Sequence, residues 1–160
     1  MTPAEVVAAL VARGLTVATC ESLTGGLVAG ALTSVSGSSV VVRGGLVTYA
    51  TDLKKQLAGV DAAVILRDGV VSESVARQMA EGVRTSLGSD LGLSCTGVAG
   101  PGPQDGVPAG TVWLAVAGDR DTLARELHLA GDRQQVREGT VAALLDLCLE
   151  YLMATDRTED

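Results

Sequence analysis

Two rhythms of apolar and polar positions alternate along the chain. In "AEVVAALVAR" the apolar residues recur at helical spacing, which predicts a helix opened by Thr2 and Pro3 and stopped by Gly14. "LTVATC" then reads as a short buried strand, and helical spacing returns from Leu23 to Val35. A polar "SGSS" turn leads into "VVVRGGLVTY", a β-branched run that predicts a second strand with a glycine-marked bend. "TDLKKQLAG" predicts a short capped helix, and "VSESVARQMAEGVRTSLG" a longer one with Ser72 as N-cap and Gly88 as stop. "LGLSCTG" reads as strand and "VAGPGPQDGVPAG" as a Gly/Pro loop. "TVWLAVAG" and "LARELHLAG" flank "DRDT" and pair as an antiparallel hairpin. The last helix is expected from about Asp132 to Ala154, with residues 155–160 as a loose tail.

Strands separated by helices imply an α/β fold. The expectation is a single domain over residues 1–160, a three-layer α/β/α sandwich. Its mixed, mostly parallel sheet has about five strands and one antiparallel hairpin. In such sheets reactive groups gather beyond the carboxyl ends of the strands. Three predicted strand ends carry small polar groups: Glu21 and Ser22, the stretch Val47 to Thr51, and the stretch Ser94 to Gly97.

Composition removes several function classes. Of the 160 residues 47% are hydrophobic but only 2% aromatic, so small aliphatic side chains build the core. The formal net charge of -7 argues against a nucleic-acid or anionic-membrane surface, leaving room for a local pair of arginines to hold one phosphate. Cys20, Cys95 and Cys148 are an odd number without CxxC spacing, so neither a disulfide framework nor a zinc site is suggested. No charged leader precedes an apolar segment, and no uninterrupted apolar run reaches about 18 residues. A cytoplasmic protein that needs no metal or other cofactor is expected.

The candidate chemistry begins with Ser22. A hydroxyl at a helix N-terminus feels the positive end of the dipole, and Gly25 and Gly26 would let a substrate approach the backbone closely. The same residues fit a plain helix cap followed by close helix packing. His128, the single histidine, lies among apolar neighbours in the predicted hairpin and reads as structural. The remaining base is lysine, used only at 54 and 55 against ten arginines. A lysine amine can lose its proton when burial lowers its pKa, whereas a guanidinium cannot. Lys54 follows Tyr49 by five residues across a strand-to-helix turn, so phenol and amine could converge; two surface lysines and a core ring are the plainer alternative.

These residues carry a resemblance. "ATCESLTGGLVAGALTSVSGSS", "RGGLVTYATDLKKQLAGV" and "SCTGVAGPGPQDGVPAGTVWLAV" resemble the CinA C-terminal domain family, the nicotinamide-nucleotide amidohydrolases, over nearly the whole chain. "ESxTGG", "VTYxxxxK" and "TGVAGP" in this order are far more specific together than any one glycine motif. The resemblance implies deamidation of nicotinamide mononucleotide to nicotinate mononucleotide and ammonia by a Ser, Tyr, Lys set, with Ser22, Tyr49 and Lys54 at the matching positions. Ser39 and Thr96 match polar positions of the family's site. It further implies a small-molecule nucleotide as partner and a homo-oligomer, a dimer, as assembly. Backbone N–H groups near Gly25 or Gly97 would then face the oxyanion. Arg133 and Arg137, one turn apart at the start of the last helix, would hold the phosphate or else lie on the surface, with Arg43 a weaker candidate. Val107 stands before Pro108 where many relatives carry lysine, and the chain matches a stand-alone form without the N-terminal domain of longer relatives. Two alternatives stay open: a thiol amidase using Cys20 or Cys95 with Lys54, and a noncatalytic nucleotide-binding module.

Overall fold

The first helix starts as its sequence dictates. Thr2 accepts from the Glu5 N–H while the Glu5 carboxylate accepts from the Thr2 N–H, a reciprocal capping box ahead of α1 (Pro3–Arg13), which ends at left-handed Gly14. The computed structural model describes residues 2–156. Then follow β1 (Val17–Glu21), α2 (Leu27–Thr33), a 3-10 turn (Ser38–Val40), β2 (Val42–Val47), α3 (Thr51–Ala58), α4 (Ala62–Asp68), α5 (Glu73–Leu87), β3 (Leu91–Gly97), β4 (Thr111–Ala117), β5 (Thr122–His128) and α6 (Arg133–Asp156).

The five strands lie in the order β2-β1-β3-β4-β5. β1 pairs in parallel with β2 and β3, while β4 pairs antiparallel with β3 and β5, so four strands point one way and only β4 opposes them. α1, α2 and α6 pack together over one face, and α3 and α4 pack on α5 over the other, giving the expected three-layer α/β/α sandwich. β1 is buried along its length. Its alternation sends Val17 into the larger core under α1 and α6, and Ala18 and Cys20 into the smaller one under α5. The larger core is aliphatic, with Leu10, Leu32, Leu93, Leu114 and Leu144 fully enclosed. Ala76 and Ala80 of α5 meet Ala115 and Ala117 of β4 in a third cluster, where short side chains let the helix lie close to the sheet.

Several expected boundaries move. The helix expected from Leu23 starts only at Leu27, because Gly25 and Gly26 adopt φ of 60° and 105°, outside a right-handed helix. The second strand is shorter than its β-branched run, and its register against β1 slips between Val17 and Ala18, near the glycine-marked bend. α3 is capped at its end by Gly59, but Ala50 gives it no side-chain cap at its start. α4 is additional to the expected elements; Asp61 caps it by accepting from the Ala63 N–H. α6 runs through Thr155 and Asp156, which the tail was expected to include, and Asp156 pairs with Arg13 of α1; residues 157–160 of that tail lie outside the described residues.

α3 and α5 meet at a contact with no spare room. A Cβ on Gly82 of α5 would overlap the backbone carbonyl of Ala58, the last residue of α3. At an ordinary helix interior Gly→Ala stabilises by about 1 kcal/mol. Here overpacking against backbone outweighs that gain, and Gly82→Ala is expected to lose a net of about 1–3 kcal/mol. The denaturant midpoint should fall with the slope unchanged; an unchanged or raised midpoint would show that α3 yields freely.

Candidate active site

The carboxyl ends of β1, β2 and β3 point to one side of the sheet, and a cavity of about 330 Å3 opens there. Ser22, Tyr49, Lys54, Thr96, Gly97 and Arg133 line it, together with Val70 and Val71 from the α4–α5 connection and the Gly/Pro loop from Val98 to Gln104. No residue lining it is acidic.

Ser22 is not a helix cap. The N-cap position of α2 is Gly26, and no side chain caps that helix end locally. Its N-terminal N–H groups are taken from a distance by Glu21, whose Oε1 accepts from Val28 at 2.8 Å and whose Oε2 accepts from Ala29 at 3.0 Å. The Thr24 and Thr19 hydroxyls donate to the same carboxylate at 2.6 and 3.3 Å, so Glu21 is buried but fully hydrogen-bonded. Glu21 thus bridges strand and helix across the Ser22–Gly26 turn, and Ser22 is freed of that duty. The Ser22 N–H donates to the Cys95 carbonyl at 3.1 Å, fixing it to β3.

Lys54 reaches Ser22 from the second turn of α3. Its Nζ donates to Ser22 Oγ at 3.1 Å and to the Thr48 carbonyl at 2.7 Å, and the residue is only 1% exposed. Neither contact is to a carboxylate. Burial disfavours the ammonium form and lowers the Lys54 pKa below the ordinary lysine value, opposed only weakly by Cys20 and Cys95. A neutral amine has two N–H bonds and one lone pair. With one N–H held by the Thr48 carbonyl, the lone pair can take the Ser22 proton. Lys55, one position on, is exposed on another face.

Tyr49 lies at the rim, 60% exposed, and its hydroxyl accepts from Arg133 Nη2 at 3.0 Å. It shares the cavity with Lys54, but the hydrogen bonds of Lys54 run to Ser22 and Thr48. Arg133 also donates to the Gly100 carbonyl at 2.7 Å, tying α6 to the Gly/Pro loop. Arg137 is turned elsewhere: Nε and Nη2 donate to the carbonyls of Leu23 and Thr24 at 3.1 and 3.3 Å, and it does not line the cavity. Thr96 is buried, its hydroxyl donating to the Val70 carbonyl at 2.9 Å. Ser39 is exposed on the 3-10 turn and Arg43 donates to the Leu87 carbonyl, both outside the cavity lining. Gly25 and Gly26 shape the turn without lining the cavity, and the Gly25 N–H is already taken by the Ser22 carbonyl at 3.1 Å. His128, expected among apolar neighbours, is exposed at the end of edge strand β5, 3.4 Å from Glu126.

The thiols are placed unfavourably for attack. Cys20 and Cys95 are fully buried and outside the cavity lining, and burial pushes their pKa up to about 11 and about 12. Among the described residues no group of three or more His, Cys, Asp and Glu side chains could hold a metal ion, and no helix is long and apolar enough to cross a membrane. Sequence reasoning missed the Thr48 carbonyl, which carries no signal, since any residue supplies one. It marks Glu21 as a polar strand end, but nothing local shows that this carboxylate accepts from the start of α2.

The sequence profile described as CinA C-terminal domain matches residues 2–152. A CinA-like protein of Frankia casuarinae is 45% identical over 150 residues, 94% of this chain and 35% of the relative. One of Syntrophus aciditrophicus is 47% identical over 93% of this chain and 36% of its own length. The chain therefore spans about a third of the length of these curated relatives. Among solved structures, the competence/damage inducible protein CihA from Agrobacterium tumefaciens superposes with a TM-score of 0.89 at 37% identity, covering 94% of this chain and 92% of that one. A competence-damaged protein (CinA) superfamily protein from Klebsiella pneumoniae gives 0.92 at 32% identity, covering 95% and 96%.

The lowered Lys54 pKa has a signed consequence for stability. In the unfolded chain lysine titrates at about 10.4. Between the lower folded value and that pH the unfolded state binds the extra proton, so the Lys54 contribution to stability rises with pH across the window. Lys54→Met removes the dependence. Chemical denaturation of both proteins at pH 7, 8.5 and 10 should show the wild type gaining on the variant as pH rises; a pH-independent difference would mean that the amine stays protonated in the fold.

Proposed function

We propose that this chain, which belongs to the CinA C-terminal domain family, hydrolyses the carboxamide of nicotinamide mononucleotide to nicotinate mononucleotide and ammonia, serving pyridine nucleotide recycling. The observation that carries the reading is the buried Lys54 amine, 3.1 Å from Ser22 Oγ and without a carboxylate partner. Ser22 Oγ attacks the carboxamide carbon and its proton passes to Lys54, giving a tetrahedral oxyanion. Collapse breaks the C–N bond. The leaving nitrogen takes up the proton and departs as ammonia, with an ester on Ser22 left behind. Water then attacks that ester, giving its proton to Lys54, and the carboxylate product leaves as Ser22 Oγ is reprotonated. Lys54 returns the proton to the leaving nitrogen, and Tyr49, held at the rim by Arg133, is assigned to contact the substrate on the solvent side of the cavity.

The charge pattern supports the substrate class. A phosphate monoester must enter a protein of formal net charge -7, and the cavity offers the Arg133 guanidinium with no acidic lining. Of the three arginines considered from the sequence, Arg133, Arg137 and Arg43, Arg133 is the one at the cavity, so the phosphate is assigned to it.

Ammonia release from nicotinamide mononucleotide is the direct test. Ser22→Ala is expected to abolish it while ligand binding persists, and Lys54→Ala to lower kcat by about a hundredfold or more; Lys55→Ala should change little. Full activity in Ser22→Ala would overturn the nucleophile, and binding without turnover in the wild type would favour a noncatalytic module. Arg133→Ala should raise KM for the mononucleotide with kcat largely kept, because ground and transition states lose the same contact. Nicotinamide riboside, lacking the phosphate, should be a poor substrate and lose little more in that variant. An equal loss on both substrates would move the phosphate elsewhere.

A further inference from the structure

The turn that carries Ser22 is held from outside by a group that the reaction scheme does not use. Arg137 Nε and Nη2, one edge of a planar guanidinium, donate to the carbonyls of Leu23 and Thr24, while Nη1 donates to Gln134 Oε1 at 2.8 Å on its own helix. A trans peptide is planar, so each carbonyl drawn to one side turns the next N–H to the other. The Leu23 carbonyl on Arg137 thus turns the Thr24 N–H away from Arg137. The Thr24 carbonyl on Arg137 turns the Gly25 N–H the same way, where it closes the turn onto the Ser22 carbonyl. That bond in turn directs the Leu23 N–H outward from the turn. Among the described residues the N–H groups of Leu23 and Thr24 have no acceptor, although both residues are buried, and Leu23 lines the cavity beside Ser22. Buried backbone donors without an acceptor are rare.

We infer that Arg137 is a positioning residue, whose two-carbonyl grip holds the turn so that the Leu23 N–H, the one of the two whose residue lines the cavity, is presented as an oxyanion donor for the intermediate on Ser22. The inference rests on the serine-nucleophile reading above but not on the identity of the substrate. A donor aimed beforehand at developing negative charge acts without reorganisation during the reaction. The fork is what matters: lysine keeps the charge but cannot hold two carbonyls in one plane.

Phenylmethanesulfonyl fluoride separates the two dependences, because it needs an activated serine and an oxyanion site but no nucleotide. Ser22 Oγ forms a bond to sulfur, fluoride leaves, and the serine proton passes to Lys54. In Arg137→Lys and Arg137→Gln the labelling rate of Ser22 is expected to fall about tenfold or more, allowing for partial loss of a donor geometry whose full removal costs about a hundredfold. The kcat for nicotinamide mononucleotide and for its riboside should fall by the same factor, with KM kept. Unchanged labelling and kcat would overturn the inference. So would a KM increase confined to the phosphorylated substrate, which would make Arg137 a phosphate ligand, or loss of folding in both variants, which would make it a scaffold residue. If the wild type is labelled at Ser22 yet releases no ammonia from the mononucleotide, the substrate assignment fails and labelling still decides the role of Arg137. If wild-type Ser22 is not labelled, the nucleophile reading fails and this inference with it.

Discussion

Everything at the open end of the sheet depends on one buried carboxylate. Glu21 ends the interior strand β1 with its side chain enclosed, where an uncompensated charge would be strongly disfavoured. Two backbone N–H groups of α2 and two threonine hydroxyls satisfy it. That set joins strand to helix across five residues too glycine-rich to form a helical turn of their own. It leaves Ser22 at a fixed point, with its hydroxyl toward the cavity and its N–H on β3. The carboxylate also takes the favourable end of the α2 dipole, so whatever activates Ser22 must come from another element.

The element that reaches Ser22 is α3, through the desolvated Lys54 amine. Its N-terminal side follows directly from the end of β2, which places Lys54 one helical turn inside and beneath the Thr48 carbonyl. Gly82 lets α5 press against the far end of the same helix, and Lys54 is enclosed in the fold. An ammonium here would lack a carboxylate, and the neutral form is favoured for that reason. Glu21 and Lys54 are treated in opposite ways, the carboxylate fully hydrogen-bonded and the amine left without a counter-ion.

The first turn of α6 closes the arrangement from the outer side. Arg133 and Arg137 lie one turn apart yet serve different surfaces: Arg133 faces the rim with Tyr49 and the Gly/Pro loop, and Arg137 faces the back of the Ser22 turn. One helix thereby links the entrance of the cavity to the backbone beside Ser22.

The sequence by itself determined the layers, the hairpin and the strand ends that meet at the cavity, because apolar periodicity and glycine stops are local signals that the tertiary structure seldom overrides. It also picked out Ser22, Tyr49, Lys54, Thr96 and Arg133 as residues of one region. Only the tertiary structure decided where each side chain lies and what it bonds. Ser22 looked equally like a cap until Glu21, reaching along the chain into α2, took that duty. Lys54 looked equally like a surface lysine until α5 and the sheet enclosed it, which no property of α3 alone reveals. Arg137 lies one turn further along α6 than Arg133, about 40° around and about 6 Å along the axis, and its guanidinium goes to the Leu23 and Thr24 carbonyls. Ser39, close to the others in the motif, stayed outside because the 3-10 turn sits beyond the edge of the cavity. Element type follows from neighbours in sequence. Burial, proton affinity and the direction of a side chain follow from neighbours in space.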